Sequence, residues 1–254
     1  MPTGHELLSV ILPAHNEEEN VPLIARRLAD LLDANHIRHE LIFINDGSTD
    51  QTWEAIRRTA EELPQVRGVR FSRSFGKEAA LYAGLQAAKG DCCVTMDCDL
   101  QHPVEKIPEM WRLWCEGYEV IEGVKRERGT ESKLHRSAAL FFYRSISRAA
   151  KMDLRRSSDF KLLDRKAVLV LLNMPERDTF YRALSAWIGF RTAQVEFDVQ
   201  PRAAGKSSWS SWQLFCYALS NLAAFTSAPL YLVIFLGILM LIAAVLTGGE
   251  ALYR

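Results

Sequence analysis

Two aspartates separated by a single residue are the sharpest chemical feature of this sequence. Asp97 and Asp99 directly follow the apolar run Cys92–Met96, which has the composition of a buried strand. Alternate residues of an extended chain face the same way, so the two carboxylates repel each other unless a hard cation lies near them. Gln101 adds a third oxygen at the same spacing. The pattern predicts a Mg²⁺ or Mn²⁺ site formed by Asp97, Asp99 and Gln101, and the alternative is a solvated turn.

Two further polar clusters follow apolar runs near the start of the chain. Pro13–Glu17 follows the first run, and Asn45–Asp50 follows the second. Dinucleotide-binding proteins carry G-x-G-x-x-G after the first strand, and that motif is absent here. A P-loop needs a glycine five residues before Gly205-Lys206-Ser207, but that position is Gln200. The sequence therefore carries neither of these nucleotide-binding motifs.

The elements that position these clusters can be predicted from hydrophobic spacing. Four segments have the composition of buried strands: Leu7–Leu12, Leu41–Ile44, Val66–Phe71 and Cys92–Met96. Three segments between them place apolar residues at helical spacing: Val21–Leu32, Thr52–Leu63 and Glu78–Ala88. The alternation predicts an α/β fold, a Rossmann-like and mostly parallel sheet with helices on both faces. Ligands of such folds bind beyond the carboxyl ends of the strands, where the polar clusters stand.

Charge is distributed unevenly along the chain, although the formal net charge is zero. Residues 1–119 hold 12 basic and 20 acidic side chains, whereas residues 120–170 hold 13 and 6. A concentrated basic segment suits phosphate groups or an anionic membrane surface, and no nucleic-acid-binding motif accompanies it. The five cysteines form no C-x-x-C pair, which favours a reducing compartment.

The C-terminal part of the chain is predicted to meet a membrane. The 19 residues Ala228–Leu246 are almost purely apolar, and as a helix they would rise about 28 Å, close to the thickness of the hydrocarbon layer. We therefore expect a transmembrane helix over 228–248, in a membrane region that is either a single span or cut short. Residues 208–227 mix aromatic, polar and aliphatic side chains and predict an amphipathic interfacial helix. The basic residues before the span place the predicted domain, 1–207, in the cytoplasm at the inner membrane.

Six motifs follow one another along nearly the whole chain: Ile11–Glu17 (ILPAHNE), Asn45–Asp50 (NDGSTD), Arg73–Lys77 (RSFGK), Asp97–Pro103 (DCDLQHP), Ser158–Leu162 (SDFKL) and Arg202–Ser207 (RAAGKS). In this order they resemble the motifs of family 2 glycosyltransferases. They are most similar to those of the polyisoprenyl-phosphate glycosyltransferases, such as bactoprenol glucosyltransferases and dolichol-phosphate mannose synthases. The sequence departs from the usual residues at Asn45, Ser74, Cys98 and Ser208.

The resemblance implies a GT-A fold and an inverting, metal-dependent transfer of a monosaccharide from a nucleotide diphosphate sugar to polyprenyl phosphate. A UDP-sugar such as UDP-glucose is the expected donor. The implied nucleotide-sugar-binding residues are Pro13, Asn16, Glu17, Asp46, Lys77, Asp97 and Lys206. The implied catalytic residues are Asp99, Asp159 and Arg202, the implied ligands of Mg²⁺ or Mn²⁺ are Asp97, Asp99 and Gln101, and the implied acceptor-phosphate residues are Arg126 and Arg136. The implied partners are the nucleotide sugar, the lipid phosphate, the membrane and a second copy of the chain, with no nucleic acid.

Such a reaction needs stabilisation of negative charge more than it needs a general base. Charge accumulates on the leaving diphosphate, so a cation with Arg202 and Lys206 would stabilise the transition state. The acceptor is a phosphate monoester whose second pKa lies near about 6, so it is already largely anionic at neutral pH and needs little help from a general base.

The sequence alone leaves more than one interpretation open for several residues. Asp159 is either an ion-pair partner inside a basic stretch or a site residue that orients the sugar or acceptor, and base catalysis is a further option. Arg182 and Trp187 resemble the helix beneath the active site of this family, although core packing explains Trp187 equally well. For His102 and His135, turn and surface positions are expected.

Two other functions are compatible with the same motifs. The first is a processive polysaccharide synthase, but the Q-x-x-R-W motif of those enzymes is missing. The second is a membrane-anchored scaffold that binds nucleotide sugars without turnover. The presence of Asp97, Asp99 and Arg202 argues against the scaffold.

Overall fold

The computed structural model describes residues 6–126, 157–175, 181–198 and 228–253. The strands within these residues are β1 (Leu7–Ala14), β2 (Arg38–Asn45), β3 (Val66–Arg70), β4 (Cys92–Thr95), β5 (Val120–Lys125), β6 (Ser157–Asp164) and β7 (Thr192–Phe197). The helices are α1 (Asn20–Ala34), α2 (Thr52–Glu62), α3 (Lys77–Ala87), α4 (Ile107–Cys115), α5 (Arg165–Leu172), α6 (Tyr181–Trp187) and α7 (Ala228–Tyr253), and a 3₁₀ turn (Val104–Lys106) precedes α4.

All these strands belong to one sheet, in the order β3-β2-β1-β4-β6-β5-β7. β1 to β4 pair in parallel, as do β5 and β7. β6 is antiparallel to both of its neighbours, β4 and β5. The predicted mostly parallel sheet is confirmed, whereas the reversed β6 is a feature that the sequence analysis did not predict. Because β6 runs backwards, its first residues lie at the edge of the sheet where β4 ends.

Helices cover both faces of the sheet, as predicted. Buried side chains of α1, α2 and α4 form one core with Val10 and Leu12 of β1. Buried side chains of α3, α5 and α6 form a second core with Ile11. Neighbouring residues of a strand point to opposite faces, so β1 supplies both cores. The centre of the sheet is thereby buried on both sides, which explains why central strands such as β1 and β4 are mainly apolar.

The predicted strands and helices of the first hundred residues are confirmed, with ends that differ by at most three residues. α1 shows why: Val21, Ile24 and Leu28 are fully buried and recur at the helical period. α3 lies unusually close to β1, because a Cβ at Gly84 would stand only 2.2 Å from a methyl carbon of Ile11. This close contact fixes α3, whose first residue reaches the candidate site.

The C-terminal predictions have a different outcome. Across the ranges that the structure describes, no helix combines the length and the apolar character needed to cross a bilayer. The predicted transmembrane helix over 228–248 is therefore not supported. The predicted interfacial helix over 208–227 lies outside the described residues.

Candidate active site

Three neighbouring strands deliver the polar clusters to one edge of the sheet. β2, β1 and β4 are adjacent and parallel, and they end at Asn45, Ala14 and Thr95. The antiparallel β6 begins at the same edge, where the hydroxyl of Thr95 donates a 2.6 Å hydrogen bond to the backbone oxygen of Asp159. The motifs that follow β1, β2 and β4 are thus brought together with the motif in β6.

The loops after β1 and β2 are joined by side chains of both. Asn16 has a left-handed backbone (φ 57°), and its side-chain oxygen accepts a 2.9 Å hydrogen bond from the backbone N–H of Thr49. The backbone N–H of Glu17 donates to the hydroxyl of Thr52 at 2.8 Å. Pro13 lies one residue before the end of β1, opposite Ile44 of β2. Three of the implied nucleotide-sugar-binding residues, Pro13, Asn16 and Glu17, therefore lie on adjoining segments.

Asp46 is buried and holds the loop before α3. One carboxylate oxygen accepts a 2.7 Å hydrogen bond from the backbone N–H of Phe75, and the other accepts from the Ser74 hydroxyl at 2.9 Å and the Gly76 N–H at 3.0 Å. Gly47 beside it has a φ of +60°, and a Cβ there would lie 2.3 Å from the backbone of residues 73 and 74. In this structure the Asp46 carboxylate therefore binds a protein loop that leads into Lys77.

Lys77, the first residue of α3, is the centre of a charge cluster. Its Nζ lies 2.5 Å from a carboxylate oxygen of Asp97 and 2.6 Å from one of Asp159. Arg182 of α6 holds the same Asp159 side-on, with two nitrogens each 2.7 Å from one carboxylate oxygen. Paired hydrogen bonds of this kind are the strong, geometrically specific form of a charge-assisted contact. The charge cluster of Lys77, Asp97, Asp159 and Arg182 thus joins α3, the turn after β4, β6 and α6.

The positive charges in this charge cluster keep Asp97 and Asp159 deprotonated. Burial by itself raises the pKa of Asp159, but the charges of Lys77 and Arg182 outweigh burial and hold that pKa well below its usual value. Asp97 also has a lowered pKa, because the attraction of Lys77 overcomes the effect of burial. Burial lowers the pKa of Lys77, yet the two carboxylates more than reverse this and raise it. All these groups are charged at neutral pH, and Asp159 is too weak a base to take up a proton there.

The D-x-D segment forms a tight turn supported by His102. The backbone N–H of Asp97 donates to Nδ1 of His102 at 3.1 Å, and the His102 ring stacks on Phe160 with 5.2 Å between centroids. Asp99 is buried, and one of its carboxylate oxygens accepts a 3.1 Å hydrogen bond from the backbone N–H of Gln101. Burial lowers the pKa of His102, so the ring is neutral and its Nδ1 acts as an acceptor. His102 therefore supports the turn, the position expected for it.

The donor set of this turn suits a hard divalent cation. Asp99 and Gln101 offer oxygen atoms, the ligands that Mg²⁺ and Mn²⁺ prefer. The described ranges contain no group of three or more His, Cys, Asp or Glu side chains that could hold a metal ion. A cation bound here would thus need oxygens from outside these side chains, which a diphosphate can provide. Asp97 is already paired with Lys77 at 2.5 Å, so its ligand role would compete with that ion pair.

The remaining implied residues have varied positions. Arg126 follows β5 with its side chain 61% exposed, and it lies 3.6 Å from Glu196 and 3.8 Å from Asp198. Trp187 is 58% exposed, so core packing does not explain it. The other members of the predicted set, Arg136, Arg202 and Lys206, lie outside the described residues, as does His135.

The sequence did not predict the contacts that Arg182 and Lys161 make at the site. From the sequence, Arg182 was assigned only to a helix, and Lys161 only to the motif Ser158–Leu162. The one available signal was an acid at Asp159 among basic neighbours, which pointed to an ion pair without identifying the partners.

Known glycosyltransferases are similar to this chain over most of its length. The family model described as Glycosyl transferase family 2 matches residues 9–170. An uncharacterized glycosyltransferase of Synechocystis sp. is 37% identical over 231 residues, which are 91% of this chain and 73% of that protein. The bactoprenol glucosyl transferase of Shigella phage SfV is 33% identical over 243 residues, which are 95% of this chain and 79% of that protein.

A solved structure shows the same fold. Glucosyl-3-phosphoglycerate synthase from Mycobacterium tuberculosis, in complex with Mn²⁺, UDP-glucose and phosphoglyceric acid, superposes with a TM-score of 0.59. The two chains are 22% identical, and the match covers 87% of this chain and 78% of the synthase. The likeness establishes the GT-A-like arrangement of a mixed sheet with helices on both faces.

Proposed function

The chain belongs to glycosyl transferase family 2, and we propose that it transfers a monosaccharide from a nucleotide diphosphate sugar to polyprenyl phosphate. The acceptor is supported by relatives named bactoprenol glucosyl transferase, which are 33% identical over 95% of this chain. We propose UDP-glucose as the donor, in keeping with those names and with the UDP-glucose bound by the similar synthase.

The observation that carries the choice of acceptor is the state of Asp159. Both of its carboxylate oxygens are engaged by Lys77 and Arg182, at 2.6 to 2.7 Å. Its pKa lies well below the usual value, so Asp159 orients its neighbours and does not abstract a proton. A sugar hydroxyl needs a general base, whereas a phosphate monoester arrives as an anion. This favours a phosphate acceptor over the hydroxyl acceptor of a polysaccharide synthase.

The other charges of the site serve the donor in this proposal. A divalent cation bound by Asp99 and Gln101 would neutralise charge that develops on the leaving diphosphate. Lys77, beside Asp97, adds a positive charge at the same edge of the sheet. We further propose that Pro13, Asn16, Glu17 and Asp97 bind the nucleoside end of the donor, and that Arg202 and Lys206 bind its phosphates. Asp46 is proposed to support the nucleoside end through the loop that its carboxylate holds before α3.

The acceptor phosphate is proposed to bind Arg126 and Arg136. Arg126 stands on the exposed end of β5 with loose contacts of 3.6 and 3.8 Å to two acids, which a phosphate could replace. Polyprenyl phosphate resides in membranes, so the reaction is proposed to occur at the cytoplasmic face of the inner membrane. The largely exposed apolar side chains of α7, such as Phe235 and Leu241, are consistent with such a location.

The test is a transfer assay with purified protein. A panel of labelled UDP- and GDP-sugars is offered with undecaprenyl phosphate, with Mn²⁺ or Mg²⁺ or with a chelator, and label in the lipid is measured. We expect that a UDP-sugar gives a lipid-linked monosaccharide. This product should be absent when chelator is added and when the Asp99→Asn variant is used. Asp30→Asn, an exposed change on α1, is the matched control. A polymeric product, or binding of donor without turnover, would contradict the proposal.

A further inference from the structure

Lys161 of β6 is a fully buried charge that the proposed chemistry does not use. It lies in the middle of the sheet, opposite Thr95 of β4 and Glu122 of β5. Its Nζ contacts a carboxylate oxygen of Glu122 at 2.5 Å, the hydroxyl of Ser185 at 2.8 Å and the backbone oxygen of Arg182 at 3.3 Å. An ammonium group has three N–H donors, so these three acceptors satisfy it completely.

Two of the three acceptors belong to α6, the helix that carries Arg182. Arg182 is consequently held at both ends, since its backbone oxygen is bound by Lys161 and its guanidinium is bound by Asp159. Asp159 and Lys161 are two residues apart on β6 and therefore face the same side of the sheet. One strand thus fixes both the backbone and the side chain of Arg182.

Packing alone does not account for a charged pair at this position. Burial lowers the pKa of Lys161, which shows that the surroundings disfavour the charge even with Glu122 beside it. Buried ion pairs can often be replaced by apolar side chains of similar volume without loss of stability. What apolar side chains cannot supply is directed hydrogen bonds to Ser185 and to the backbone of α6.

We propose that Lys161, itself oriented by Glu122, is a positioning residue that sets α6 so that Arg182 holds Asp159 in the orientation required for sugar transfer. In this role Lys161 contacts no substrate, and its effect on transfer is exerted through Arg182. The kinetic consequence rests on the proposed function, whereas the ordering of α6 does not.

The kinetic test is a mutant cycle between the buried pair and Arg182. The double variant Lys161→Met/Glu122→Leu removes both charges together, so no unpaired buried charge remains. We expect kcat for transfer to fall roughly 10- to 100-fold, because small displacements of catalytic groups have effects of that size, while KM for the donor changes by less than about twofold. In an Arg182→Met background the same double change should have almost no further effect. An equal loss of kcat in both backgrounds, or no loss in either, would overturn the proposal.

Ser185→Ala provides a milder variant that does not depend on the double variant folding. It removes one hydrogen bond between Lys161 and α6 and leaves the ion pair with Glu122 intact. We expect a loss of kcat of about threefold, as for part of one hydrogen bond, and again no further loss in the Arg182→Met background. A loss of the same size in both backgrounds contradicts the proposal.

Amide hydrogen exchange separates this inference from the proposed function. Both variants should speed exchange in residues 181–187 of α6, while α5 at 165–172 exchanges as in the unaltered protein. If the unaltered protein transfers no sugar to undecaprenyl phosphate, the proposed function fails, and the exchange result still decides the positioning role. Unchanged exchange in α6 refutes that role.

Discussion

Replacing Asp159 with asparagine is the most informative single perturbation of the charge cluster. The substitution keeps the shape of the side chain but removes the negative charge that faces Lys77 and Arg182 at 2.6 to 2.7 Å. Two cations then face each other without the acid between them. Breaking a fully buried ion pair costs about 3 to 5 kcal/mol. Lys77 and Arg182 are 33% and 24% exposed, and Lys77 keeps Asp97, so we expect a loss of about 2 to 3 kcal/mol in the free energy of unfolding.

The stability lost in Asp159→Asn should depend on pH, in the direction that the lowered pKa of Asp159 determines. The pKa of Asp159 is lower in the folded protein than in the unfolded chain, where an aspartate titrates near about 3.9. Its stabilising contribution is therefore complete above the unfolded pKa and is lost as the pH falls toward the folded pKa. The difference in stability between the unaltered protein and Asp159→Asn should be constant from pH 7 to about pH 4 and should narrow below that.

Urea unfolding followed by tryptophan fluorescence at a series of pH values measures this difference. The exposed change Asp30→Asn serves as the control and should cost less than about 0.5 kcal/mol. A difference that already narrows between pH 7 and pH 5 would mean that Asp159 binds a proton in that range. That result would refute the assignment of Asp159 as a permanently charged orienting group and would restore it as a candidate base.

Three further predictions concern the loops at the same edge. Gly47→Ala should lower the free energy of unfolding by more than about 1 kcal/mol, because its Cβ would lie 2.3 Å from backbone atoms. Gly76→Ala is also at positive φ but has no atom within 4 Å of the new Cβ, so it should lower the free energy of unfolding by less, and thermal unfolding compares the two variants. Asp46→Asn leaves one of the three accepted hydrogen bonds poorly satisfied, so amide exchange in residues 74–76 should rise and KM for the donor should increase. Unchanged exchange would show that the Asp46 carboxylate does not hold this loop. Asp99→Asn should reduce transfer at least about 100-fold and abolish its response to added Mn²⁺, and a normal metal response in the variant would exclude Asp99 as a ligand.

The first half of the fold follows directly from local sequence patterns. β1, β2 and β4 contain apolar runs because both faces of each strand are buried, and α1 to α3 bury single apolar stripes. β6 is different, since Asp159 and Lys161 interrupt its apolar character although both are buried. Their charges are compensated by partners on α3, β5 and α6, and no local pattern reveals such partners. The reversed direction of β6 was not predicted either, because it depends on pairing with β4 and β5 and not on a local pattern.

The candidate site was predictable to a similar extent. The residues after β1, β2 and β4 could be placed at one edge, because parallel strands align their carboxyl ends. Asp46 was expected at a nucleoside, and the structure shows its carboxylate bound to the loop before α3. The pairs Lys77–Asp159 and Asp159–Arg182 join residues 82 and 23 positions apart, so they depend on the folded chain. Only the structure could reveal that Asp159 has both oxygens occupied.

Two acceptors that differ in one group distinguish transfer to a phosphate from transfer to a hydroxyl. Purified protein is given UDP-glucose and Mn²⁺ with either undecaprenyl phosphate or undecaprenol, the alcohol with the same chain, and the glucose-linked lipid and the released UDP are quantified together. We predict glucosylation of the phosphate with matching release of UDP, and no detectable glucosylation of the alcohol. Transfer to undecaprenol at a comparable rate would show that the site activates a hydroxyl, and it would contradict the account.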